Sequence, residues 1–363
     1  MNQYSLLAEG ISVTLDLAVG HVAELAIASG GRTLRPLHRA KWIGSPDLPA
    51  AMPAGQLRLS GDFLCAPFSR SDVEEAPLHG WTSNSAWKHV GDEKLADGAQ
   101  ATFRLERKVM GAVVEKRLTL RDGHPFLYQE HSFIGGSGAI SVAHHPMTEM
   151  RAGGRLAFSP KRLAATPETS PETDPARGHS ALAYPAESHD LTRFPAADGS
   201  VLDLTEFRTD SAHEDFVTLV EAEHGGIGWS AVAREAEDDV VLVLKNPAEL
   251  PVTMLWISNG GRFYAPWNGR RGVLGVEDGR AAIGHATSLG DNWLKRLGVE
   301  TAFALGGTVS FRQVVGAVTS LRGTAPSSVT AARGRLQLGF DGGASDEVGF
   351  DDSFLRIGHA PLN

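Results

Sequence analysis

A chain of 363 residues, 42% hydrophobic and 21% charged, has material for a large core and none of the bias of a disordered or fibrous protein. Its formal charge of -9 argues against nucleic acid or an anionic membrane as a partner. A single cysteine, Cys65, rules out an intrachain disulfide and points to a reducing compartment.

The opening residues, MNQYSLLAEG, lack the basic start and apolar stretch of a secretion signal. No apolar run approaches the ~20 residues of a membrane span, so the expected location is cytoplasmic. Ile11, Val13, Leu15 and Leu17 alternate with polar residues, the period of a half-buried strand, and Ala23, Leu25 and Ile27 repeat it after Gly20. Phe103, Leu105 and Val109 define another amphipathic strand, with 114–120 as its hairpin partner beyond Gly111. Residues 126–134, 217–220, 229–233, 240–244, 252–257, 309–315 and 336–340 read as further strands, and 288–297 as the one short helix. With 41 Gly and 19 Pro between them, these segments predict an all-β sandwich or barrel. No fixed-period repeat supports a propeller. The strands on either side of 159–200 are alike, so the chain is expected to form one domain over 1–363. The six prolines of 159–200 then mark a loop excursion, of the kind that often serves as a lid.

Three polar clusters could carry chemistry. Phe68, Ser69 and Arg70 precede His79, Gly80 and Trp81; His144 and His145 end an apolar strand; and 272–279, GVLGVEDG, places Glu277 at the mouth of a strand before an Asp278–Gly279 turn. Just upstream stand Phe263, Tyr264, Trp267, Arg270 and Arg271, aromatic faces and charged forks that suit a sugar. A sugar hemiacetal opens when a base takes the anomeric proton and an acid protonates the ring oxygen. Glu and a charged His meet that need near neutral pH without cofactor or metal. Each residue also has a structural reading: His144 and His145 as buried strand-end histidines, His79 as a turn cap, Arg70 paired with Asp72 or Glu74, and Trp81, Trp87 and Trp267 as core.

The order of these motifs resembles the aldose 1-epimerase (galactose mutarotase-like) family, whose fold is a large β-supersandwich with few short helices. The resemblance runs from GHVAELAIASGGRTLRPL at Gly20 through CAPFSR at Cys65, PLHGWTSNSAWKH at Pro77, AHHP at Ala143 and VED at Val276 to GGTVSFRQVVG at Gly306. It implies Glu277 as the general base and His145 as the general acid, with His144 as a substitute. Arg70 and His79 would hold sugar hydroxyls, and His213 would stand at the family's substrate-binding Asp position, with Asp215 two residues on. Here Asp278 follows the Glu where the family often has Pro. The resemblance implies a free sugar as substrate, no cofactor, and turnover that falls in acid as Glu277 protonates and in alkali as His145 loses its proton. Three rivals stand beside this reading. One is a hexose 6-phosphate epimerase with Arg270 and Arg271 on the phosphate, and another a non-catalytic sugar sensor. The third is a metal site of His79, His144, His145 and Glu277. Nothing in the sequence fixes the oligomeric state.

Overall fold

Two large antiparallel sheets face each other across the main core. They are seen in a computed structural model that describes residues 2–222, 226–319 and 324–356. The first, which we term the site sheet, has eight strands. Its central run is His213–Glu221, Val252–Asn259, Val273–Arg280, Val142–His144 and Leu64–Cys65 in spatial order. The second, the back sheet, has nine strands and is centred on Asp239–Lys245, Thr308–Thr319 and Phe126–Gly135. A four-stranded sheet at the N-terminus adds Val13, Leu15 and Leu25 to the core between them. The all-β expectation therefore holds, and no helix among the described residues is long and apolar enough to cross a membrane.

Side chains alternate across each strand, so the site sheet has two apolar faces with different partners. Val217, Leu219, Leu255, Leu274 and Val276 point inward and join the main core. Cys65, Ala143, Met254 and Trp256 point outward, where Trp42, Trp267 and Leu294 cover them in a second cluster. The back sheet is likewise two-sided. Phe126, Tyr128, Leu242 and Val314 on its outer face pack under Val329, Leu336 and Leu338 of the three-stranded C-terminal sheet.

The inward face also holds a closed group of charges. Lys245 of the back sheet lies 3.0 Å from Asp278 and 2.9 Å from Glu221 of the site sheet, and Lys161 joins Glu221 from the next strand. Thr253 donates to Asp278 at 2.8 Å. Two cations thus meet two carboxylates with all four side chains sealed from solvent. Charges this deep are tolerated only when they are paired and hydrogen-bonded.

Several boundaries differ from the sequence reading. Val273–Arg280 continues through Glu277, Asp278 and Gly279, so no turn stands there: Asp278 is held by Lys245 and Thr253 instead of solvent. The predicted 159–200 loop contains Lys161–Ala165, a strand paired with His213–Glu221, because Leu163, Ala164 and Ala165 find an apolar neighbour. The predicted 288–297 helix is two short ones, His285–Leu289 and Trp293–Arg296. Asn292 starts the second by accepting from the Lys295 amide, so the pattern breaks at a cap.

Candidate active site

On the outward face of the site sheet, Glu277 pairs in register with Met254, and Gly275 with Trp256. Gly275 is a spatial requirement here: a Cβ on it would lie 3.2 Å from both Glu277 Oε1 and Trp256 Cβ. The neighbouring strand Val142–His144 ends at a break, after which His145 turns onto the same face while His144 turns inward. His145 Nε2 then lies 3.0 Å from Glu277 Oε1, with both side chains almost wholly buried. The His145 amide is anchored by the Phe63 carbonyl at 2.9 Å and Asp62 Oδ1 at 3.0 Å. Its ring stacks on Phe63, centroids 4.5 Å apart, and stands at right angles to His79 at 5.5 Å.

His79 reaches the group from an unusual backbone. Its φ is +67°, and Ser69 and Gly80 beside it are also left-handed at +62° and +74°. Non-glycine residues rarely rest there unless neighbours hold them. The His79 amide donates to Ser69 O at 2.8 Å, and its carbonyl accepts from Ala66 N at 3.3 Å and Ser83 Oγ at 3.1 Å. Gly80 is obligatory, because a Cβ would come within 2.0 Å of the Ala66 carbonyl.

These residues open on a cavity of about 400 Å³ lined by His21, His79, His145, Glu277 and Arg262 among aromatic walls of Phe63, Phe68, Phe216, Trp256 and Trp267. The proline-rich excursion closes one side through Pro167, Thr169, Ser170 and Pro171. It is tied down where Arg177 lies 4.0 Å over Tyr264 and Gly178 bridges Arg262. Burial sets the charge state. It raises the Glu277 carboxyl well above the usual carboxylate range and holds His145 well below that of an imidazole, with His79 and His21 adding to the latter. His79 is lowered to about 4 and His21 to about 3, again chiefly by burial. Burial thus favours neutral histidines over the charged imidazole acid expected from sequence, and favours the proton of the central pair on Glu277.

Of the residues singled out from sequence, Glu277, His145 and His79 meet at this cavity and Arg70 and His213 do not. Arg70 is two-thirds exposed and pairs with Asp72 at 3.1 Å. His213 lies on the inward side of its strand, bonded to Asp215 at 2.7 Å, and lines a separate apolar cavity with Leu255, Ile257 and Leu274. The residue between His213 and Asp215 turns to the outward face and, without lining the cavity, holds two residues that do: Glu214 accepts from Trp256 Nε1 at 2.6 Å and pairs with Arg262 at 3.2 Å. Arg270 and Arg271 do not line the cavity either. Arg270 is packed beneath Trp42, Trp256 and Trp267, and Arg271 donates to the Thr209 carbonyl. His144 sits between the sheets, 3.9 Å from Asp62 and against His131. The four-residue metal reading thus loses a ligand, and among the described residues no group of three His, Cys, Asp or Glu is placed to hold a metal ion. Glu214, Trp256 and Arg262 were missed. The signal available for Arg262 was its place directly after Gly260-Gly261, beside the aromatic run already marked.

The fold has solved counterparts. A candidate aldose 1-epimerase from Escherichia coli K12 superposes with a TM-score of 0.58 at 12% identity, over 87% of this chain and 98% of that one. A candidate mutarotase from Salmonella typhimurium gives 0.53 at 12%, over 87% and 90%, and a galactose mutarotase related enzyme from Lactobacillus acidophilus gives 0.50 at 11%, over 88% and 98%. No family model and no curated protein matches the sequence. At these identities the likeness is one of fold: this chain has the mutarotase-like β-supersandwich.

Proposed function

We propose that the cavity binds a free aldose and interconverts its α and β anomers. The observation that carries this reading is the buried Glu277–His145 pair, 3.0 Å apart, opening on an aromatic-walled cavity. The anomeric oxygen and the ring oxygen of an aldose sit on one carbon, so two groups in hydrogen-bond contact can address both. With the shared proton shifted along their hydrogen bond from Glu277 onto His145, the ionised Glu277 takes the anomeric proton while His145 delivers one to the ring oxygen; the C1–ring oxygen bond breaks and an aldehyde forms. The pair thus ends the step at its starting charge. Rotation of the aldehyde and reversal of the roles closes the other anomer. Aromatic walls suit the C–H faces of the sugar, and His79 and Arg262 supply donors for its oxygens.

An unphosphorylated substrate fits best. Arg262, the lining arginine, is already paired with Glu214, and the two arginines expected to meet a phosphate lie elsewhere. The test is anomer exchange by NMR on a panel of free and 6-phosphorylated aldoses. Wild-type protein is expected to accelerate exchange of a free aldose, with Glu277→Gln and His145→Ala each losing about 10²–10⁴-fold. Sugar-dependent thermal shifts without any exchange would point to a binding protein, and neither effect would leave only a shared fold.

A further inference from the structure

Cys65 lies on the short strand Leu64–Cys65 at the edge of the site sheet, fully buried, with its side chain on the outward face beside Ala143 and Met147. Its Sγ is 3.2 Å from His79 Nδ1, the thiol's one polar partner among the described residues. Two arrangements are open to such a contact: S–H donating to the ring nitrogen, or N–H donating to sulfur. A thiol sulfur is a weak acceptor and an imidazole nitrogen a good one, so the first is preferred. Burial, with the nearby Glu277 and Asp62 carboxylates, keeps the thiol protonated and hence a donor. A neutral imidazole carries one ring proton; with Nδ1 accepting, that proton is on Nε2. Among the described residues Nε2 has no hydrogen-bond partner, and it is not sealed from the cavity that His79 lines. The ring is also held in place, because the left-handed backbone of His79 is clamped on both sides by Ser69, Ala66 and Ser83.

We propose that Cys65 is a positioning residue for the site, its thiol fixing His79 as the Nε2–H tautomer and so presenting a neutral N–H donor to whatever oxygen occupies the cavity. The consequence for turnover rests on the sugar reading above; the tautomer does not, since it belongs to the unliganded protein. His79 in this state does not exchange protons with substrate, because a second ring proton would have to displace the thiol. It therefore complements the Glu277–His145 pair instead of competing with it: the pair moves protons and His79 supplies a fixed dipole. A wholly apolar residue at 65 would pack on the same sheet and leave the tautomer undetermined.

The decisive experiment is ¹⁵N–¹H correlation NMR on ¹⁵N-histidine-labelled protein, with the His79 signals assigned by their absence in His79→Gln. In wild type, Nδ1 should show the shift of an unprotonated nitrogen and Nε2 that of a protonated one. Cys65→Ser, which keeps a donor, should retain that pattern, whereas Cys65→Val should move His79 toward a tautomer mixture. If wild type accelerates anomer exchange, Cys65→Val should lower kcat about tenfold to a hundredfold with a smaller change in KM, and Cys65→Ser should restore most of it. A protonated Nδ1 in the wild-type spectrum overturns the proposal without any variant. So does a Cys65→Val protein that keeps the wild-type tautomer. Failure to find a reactive sugar would count against the function and leave the tautomer measurement to decide this point alone.

Discussion

Glu277 is a carboxyl with His145 as its recorded polar partner and apolar walls around it, and that environment has two measurable effects. The first concerns rate. The pair must keep its shared proton to turn over, and burial makes that proton harder to lose, so the descending limb of the pH–rate profile, where Glu277 ionises, should lie well above the ordinary carboxylate range near 4.5. Because burial also keeps His145 neutral, the ascending limb, where His145 gives up a second proton, should lie well below pH 6.5, so the two limbs belong to the opposite partners from those expected from sequence. An ascending limb near pH 6.5, or a descending limb near pH 4.5, would remove Glu277 and His145 from these roles. The second effect concerns stability. Between the unfolded carboxyl pKa and the raised folded one, the native state holds a proton that the unfolded state has released, so stability falls as pH rises through that window. Glu277→Gln removes the titration. Its urea midpoint should equal that of wild type near pH 4 and exceed it increasingly toward neutrality. A variant that is less stable at pH 7 would show that the ionised carboxylate is better solvated than its burial implies.

At the scale of the element, strand parity decides which residues reach the site. The alternation in 217–220 and 252–257 was readable, and so were the strands that carry Glu277 and His145. Parity at the strand's start was not: 213, 215 and 217 share the inward face, while Glu214 and Phe216 share the outward one, and one residue of difference exchanges the two sets. His213 was misplaced for that reason. Arg262 and Trp256 were illegible for another, since their meeting with Glu214 depends on His213–Glu221 lying beside Val252–Asn259 in the sheet, which local pattern does not encode. Cys65 and His79 illustrate the same limit, being brought together by a left-handed turn that only the surrounding backbone can hold. Gly275 tests the outward face directly. Gly275→Ala would put a methyl 3.2 Å from Glu277 Oε1, so it should cut anomer exchange by at least tenfold while costing only about 1–3 kcal/mol in stability. The inward face has its own test. Lys245→Met leaves Asp278 buried without its cation and should cost about 3–5 kcal/mol, and adding Asp278→Leu should recover part of the loss. Additive losses from the two changes would mean the charges stabilise the sheets independently.

Across the whole molecule, the same burial that shapes the site makes the fold sensitive to acid. Among the described residues six histidines are sealed, His21, His38, His131, His144, His145 and His285, and burial holds every one below the ordinary imidazole range. His21, His38 and His144 lie at about 3. Each is neutral in the folded chain and takes up a proton on unfolding once the pH is below about 6.5, so each withdraws stability as pH falls, at up to about 1.4 kcal/mol per pH unit. Buried carboxyls act with the opposite sign. Asp62 is raised to about 6 and Glu249 to about 7, and Glu214 and Glu277 are raised as well, so the native state binds protons there that the unfolded chain lacks above about pH 4. Between pH 6.5 and 4.5 the four carboxyls offset only part of the contribution of these six histidines and of His79, leaving a net uptake of roughly two to three protons on unfolding. Below about pH 4 the unfolded carboxyls are protonated too, their contribution stops changing, and the histidines act alone. Glu221, depressed to about 2 by Lys245 and Lys161, then adds to the loss. The expected result is a urea midpoint that falls gently from pH 6.5 to 4.5 and more steeply between about pH 4 and 3, with uptake of several protons on unfolding. Replacing His131, which lies between the sheets against Phe311 and His144, by Phe should make that drop shallower by about one proton while leaving the neutral-pH midpoint close to wild type. A wild-type midpoint that stays level or rises from pH 6.5 to 4.5 would mean the histidines between the sheets are reached by solvent and take up their protons while the chain is still folded.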